Sequence, residues 1–76
     1  MSEAEILAAV AEEIKRGDAR SLEYQRGMAA VLRYRARGVR IPCPYRLGTA
    51  EADAYFSGNE RGHALWRKMR ESGERP

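Results

Sequence analysis

Arg40-Ile41-Pro42-Cys43-Pro44-Tyr45-Arg46 is the stretch that decides the fold of this chain. Each proline fixes its own φ, lacks an amide donor and pushes the residue before it out of the α region, so a helix cannot pass through. Ile41 and Cys43 are therefore expected to be extended, and Pro42, Cys43, Pro44 and Tyr45 form a rigid elbow between helical segments. Ile41, the elbow and Leu47 put several apolar side chains in a short loop, which predicts that the loop lies against the helices.

Upstream of the elbow, Gly38 is a C-terminal stop for a helix over about 19–37, with Asp18 or Ser21 as its N-cap. Leu22, Met28, Ala29, Val31 and Leu32 form its apolar face, with Tyr24 at the edge. Arg26, Arg33, Arg37 and Arg40 recur at helical spacing and share one strip if the helix reaches that far. Gly27 sits inside this helix and costs on the order of 1 kcal/mol relative to alanine unless something packs closely against it. Earlier still, Ser2-Glu3-Ala4-Glu5 has the form of a capping box. Ile6, Leu7, Val10 and Ile14 then follow at helical spacing, predicting an amphipathic helix over about 3–16 that ends at Gly17.

Downstream, Thr49 is a suitable N-cap, and Glu51 and Asp53 in the first turn suit the helix dipole. A third helix is expected over about 50–71, with Ala52, Tyr55, Gly62, Leu65, Trp66 and Met69 on one side. Gly58 and Gly62 share a face and together cost about 2 kcal/mol of helix propensity. Either the bare backbone there meets another helix at close range, or the helix breaks near Ser57 to Asn59, or a ligand approaches. The fold class is thus all-α: one small domain of three helices over residues 1–76.

At this length folding buries only roughly 60% of the surface of the unfolded chain, so the core is thin and a partner is an attractive cover for leftover apolar surface. One cysteine rules out an internal disulfide, and one histidine leaves no ligand set for a structural zinc. That suits a reducing cytoplasm. No apolar run approaches the roughly 20 residues that span a bilayer, so no membrane role is expected.

The net charge of +3 is unevenly spread. Residues 1–17 carry a net −2, residues 18–48 a net +5 made of arginines against Asp18 and Glu23, and the remainder balances. Arginine forks and stacks onto phosphates in ways lysine cannot, which points to nucleic acid. A solvated helix face that keeps a small protein soluble is the competing reading.

No catalytic arrangement stands out. His63 has no nucleophile or ligand companion, Cys43 is expected to be a small buried apolar group, and Gly58 and Gly62 do not form a phosphate-binding loop. The chain is therefore expected to be a non-enzyme without cofactor or metal.

Three segments in series, Tyr24-Gln25-Arg26-Gly27-Met28-Ala29-Ala30, Cys43-Pro44-Tyr45-Arg46 and Ala54-Tyr55-Phe56-Ser57-Gly58-Asn59-Glu60-Arg61-Gly62, resemble bacterial ribosome modulation factor. The similarity covers roughly Leu22 to Trp66. It implies two helices joined by an extended linker, binding to ribosomal RNA near the messenger-RNA exit region, and silencing of ribosomes in stationary phase. The residues that match are Gln25, Arg26, Gly27, Cys43, Pro44, Tyr45, Tyr55, Gly58 and Arg61. Asn59 departs from the family, which tends to have tryptophan there, and the first 17 residues have no counterpart in it.

Two functional expectations result. In the first, a ribosome- or rRNA-binding module, Arg26, Arg33, Arg37, Arg40 and Arg46, joined by Arg61 through the resemblance, hold phosphates while Tyr45 stacks or braces the elbow. In the second, a protein-interaction module of phage or plasmid type, Gly27, Tyr55, Gly58, Gly62, Leu65, Trp66 and Met69 serve helix packing or contact a partner. That partner is a host protein or a second copy in a homodimer.

Overall fold

In a computed structural model of the protein, residues 1–17 and 21–71 are described. The chain forms α1 (Glu3–Arg16), α2 (Leu22–Arg37) and α3 (Ala50–Glu71), with no strand among the described residues. Each start follows from local chemistry. The Ser2 hydroxyl accepts from the Glu5 amide at 3.2 Å and the Glu5 carboxylate accepts from the Ser2 amide at 2.7 Å, a closed capping box.

Ser21 caps α2 by accepting from the Tyr24 amide at 3.2 Å, so this helix begins at Leu22, later than the expected start at 19; Asp18, the other candidate cap, lies outside the described residues. Thr49 accepts from the Ala52 amide at 3.2 Å and donates to the Arg46 carbonyl at 2.6 Å, tying the start of α3 to the loop before it. Gly38 ends α2 in the left-handed region at φ 71°. Only glycine adopts this conformation without steric cost.

The segment between α2 and α3 carries no regular element. It bends at Tyr45 and turns at Leu47 and Gly48, the latter at φ 86°. Its aliphatic side chains stay exposed to solvent: Ile41 is 38% exposed and Leu47 75%. What holds the connector is its polar and aromatic groups. Tyr45 meets the edge of Tyr55 at 5.8 Å between centroids, and the Tyr55 hydroxyl reaches the Ile41 carbonyl at 3.5 Å. Cys43, expected to be buried, is half-buried, its Sγ 3.5 Å from the Tyr45 carbonyl oxygen.

α3 runs unbroken through Gly58 and Gly62, because both glycines lie against α2. A Cβ at Gly58 would collide with the Tyr24 carbonyl oxygen, and one at Gly27 would collide with the Tyr55 carbonyl oxygen. The two contacts are reciprocal. Tyr24-x-x-Gly27 on α2 faces Tyr55-x-x-Gly58 on α3, and each glycine presents a Cα hydrogen to the other helix's tyrosine carbonyl, a weak hydrogen bond typical of close helix crossings. Gly62 continues the seam beside Met28 and Val31, where a Cβ would stand 2.8 Å from the Val31 Cβ. Tyr24 meets Gly58, Val31 meets Gly62 and Arg35 meets His63, so the two helices run in the same direction and the connector returns the chain along α2.

α1 packs antiparallel to α2, with Glu3 beside Arg33 and Arg37 and its later residues beside the start of α2. Its Ile6 and Val10 close a core completed by Met28, Ala29 and Leu32 of α2 and Leu65 and Trp66 of α3. Ile6, Met28 and Leu32 are fully buried, each contributing about 1.5–3 kcal/mol of transfer free energy. No described helix is long and apolar enough to cross a membrane.

Candidate nucleic-acid interface

Arg26, Arg33 and Arg37 share one face of α2, Arg26 and Arg33 lining the same groove beside α1, but Arg40 is not on that face. α2 ends at Arg37, so Arg40 leaves the helix and its guanidinium lies over the Tyr34 ring, 5.5 Å from the centroid. Arg26, near the start of α2, donates from Nη1 to the Tyr45 hydroxyl at 2.9 Å. Arg46 is exposed in the connector. Among the described residues none of these three arginines has a carboxylate within ion-pair distance. Through its bond to Tyr45, Arg26 touches a cluster of rings in which Tyr45 and Phe56 each meet Tyr55 edge-on, at 5.8 and 6.0 Å. Tyr55 is buried, and that burial pushes its phenol above the ordinary value.

Arg33, Arg37 and Arg61 are each engaged by a carboxylate. Arg33 grips the Glu3 carboxylate with both Nε and Nη2, the Nε contacts being 2.9 and 3.1 Å, and Arg37 approaches the same carboxylate at 3.7 Å. The hydrogen bond from Arg33 holds the Glu3 carboxyl below its ordinary range, and Arg33 is in turn held more firmly protonated. Arg61 pairs with Glu13, a largely buried carboxylate that Lys68 also approaches at 3.9 Å. α1 thus spends two carboxylates on four cations of α2 and α3. Arg33, Arg37 and Arg61, expected from the sequence to hold phosphates, are each paired with a carboxylate of α1.

Gly27, Tyr55, Gly58, Gly62, Leu65 and Trp66 are all buried within the chain, and Met69 packs against the core from its edge. They are occupied by intramolecular packing, so the Trp66 face is not an open contact surface. His63 is half-buried, accepts from Arg35 Nε at 3.3 Å on Nδ1, and is lowered in pKa by burial and by the Arg35 and Arg67 charges. No three His, Cys, Asp or Glu side chains among the described residues are grouped to hold a metal.

Two residues escaped the sequence reading. Tyr34 was given no role, yet its ring receives Arg40. Asn59, noted only as a departure from a family pattern, donates from Nδ2 to the Gly27 carbonyl at 2.8 Å and so bridges the helix seam. The signal for Asn59 was present in the repeated Tyr-x-x-Gly spacing of the two helices, which places the residue after Gly58 beside the first helix.

No protein family matches the chain, and neither the curated proteins nor the solved structures include a similar one.

Proposed function

We propose that this protein is a small non-enzymatic RNA-binding module that acts on the ribosome and lowers translation, as its resemblance to ribosome modulation factor implies. The observation that supports this reading most strongly is the connector face. Arg26 lies against Tyr45 and Arg40 against Tyr34, Arg46 is exposed next to Tyr45 in sequence, and none of the three has a carboxylate partner among the described residues. Guanidinium groups beside half-exposed rings are what unpaired RNA requires: cations for phosphates and flat apolar surfaces for bases. The glycine seam supports the reading indirectly, because it holds connector and helices in one fixed arrangement.

Three arginines neutralising three phosphates imply a salt slope near −2, so affinity falls roughly 20-fold between 50 and 200 mM salt. The test is sedimentation of a lysate containing tagged protein through sucrose gradients at low and high salt. The expected result is co-migration with ribosomal particles at low salt and release at high salt. Protein that stays at the top of both gradients overturns the proposal and directs attention to exposed Leu47 and Phe56 as a protein contact.

A further inference from the structure

Between α2, the connector and the first half of α3 lies an open cavity of about 210 Å³. Its lining comes from three parts of the chain. Ala30 and Val31 form a small-residue wall on α2, Ile41 closes the connector side, and buried Tyr55 with half-buried Asn59 form the inner end. Tyr34, 42% exposed, and Arg40 stand at the mouth, the guanidinium against the ring. The volume is below the roughly 300–1,000 Å³ of pockets for drug-sized ligands, so it admits one flat ring system.

The chemistry of the walls narrows the occupant. Arg40 is the single cation of the lining, too few for a phosphate group held on its own. A planar ring with polar edges uses every wall: a π-face for Tyr34, apolar sides for Ala30, Val31 and Ile41, and edge atoms for the Asn59 amide. That amide is already oriented by its 2.8 Å bond to the Gly27 carbonyl.

We infer that this cavity receives one unpaired RNA base, stacked on Tyr34 and hydrogen-bonded at its edge by Asn59. The base takes the place of Arg40 on the ring, and the freed guanidinium moves to the adjacent phosphate. This inference rests on the RNA-binding reading and names how one nucleotide is held.

The test compares binding of the full chain to a fluorescent single-stranded RNA octamer and to an octamer of the same length with all bases removed, which keeps every phosphate. Stacking of one base is expected to favour the complete octamer roughly 10-fold. Tyr34→Ala lowers that preference several-fold, while Tyr34→Phe keeps it. Equal affinity for the two octamers, or a preference that survives Tyr34→Ala in full, overturns the base site while leaving phosphate binding intact. Failure of both octamers to bind overturns the RNA-binding reading and the base site together. Tyr34 is half-exposed, and an unchanged thermal transition for both variants shows that the fold is preserved.

Discussion

On the α1 side of the molecule, Glu3 and Glu13 occupy Arg33, Arg37, Arg61 and Lys68; on the connector side, Arg26 and Arg40 lean on tyrosines and Arg46 stands exposed. The same residue type is used in two ways. Exposed ion pairs contribute little to stability, typically up to about 1 kcal/mol, so the main effect of the Glu3 pairs is to set where positive charge remains. With Glu3 and Glu13 neutralising cations beside α1, Arg26, Arg40 and Arg46 keep their charge near the connector, where Tyr34 and Tyr45 are within reach. α1 is thus part of the core through Ile6 and Val10 and a charge filter through its carboxylates.

That contrast depends on the seam that holds the two sides in register, so breaking the seam gives the largest effect. Gly58→Ala drives a methyl group into the Tyr24 carbonyl, which is backbone and cannot swing aside. The expected loss is roughly 3 kcal/mol or more, a large part of the stability of a domain this small. Urea or thermal unfolding measures it. Gly17→Ala, where a Cβ meets nothing within 4 Å, serves as the control and is expected to change stability far less. If Gly58→Ala unfolds like the unaltered protein, the backbone-to-backbone seam is wrong.

Much of this seam was legible in advance. Gly27, Gly58 and Gly62 were costly inside helices unless something approached closely, and what approaches is another backbone. Ser2 and Gly38 gave away helix ends by local chemistry alone. The pairing of Glu3 with Arg33, 30 residues away, was not legible, because charge patterning reads one helix at a time and says nothing about which helix will face it. Spacing placed Arg26, Arg33 and Arg37 on one helix face, but it did not reveal that α1 packs beside that face or that Arg40 lies beyond the helix end. The same-direction crossing of α2 and α3 was also hidden, since the connector has length enough to turn back or to return the chain.

A smaller effect sharpens the comparison from the α1 side. Glu3→Gln removes the charge that occupies Arg33 and Arg37. Fluorescence anisotropy with single-stranded RNA is expected to show little change in affinity, and a gain of several-fold would show that Arg33 and Arg37 share the binding field. The same carboxyl also predicts a pH response. Its folded pKa lies below the ordinary 4.5, so the stability it contributes is present above that value and is lost as pH falls through the lowered pKa. Unfolding curves between pH 5 and 3 are therefore expected to fall less steeply for Glu3→Gln than for the unaltered chain.

The smallest expected effect belongs to His63. Its folded pKa lies below 6.5, so its neutral form is favoured in the fold, and its contribution is present above pH 6.5 and declines as pH drops through the lowered value. Monitoring unfolding from pH 7 to 5 is expected to show a slight loss of stability that His63→Gln removes. An equal loss in the variant would assign the response to other groups.

The contrast between the two arginine groups is tested most directly by gradient sedimentation of two charge-reversed proteins at low salt. One carries Arg40→Glu with Arg46→Glu, and the other carries Arg33→Glu with Arg37→Glu. The connector variant is expected to leave the ribosomal fractions while the α2 variant, its fold first verified by thermal unfolding, remains largely with them. Release of the α2 variant with retention of the connector variant would contradict it, and so would retention of both.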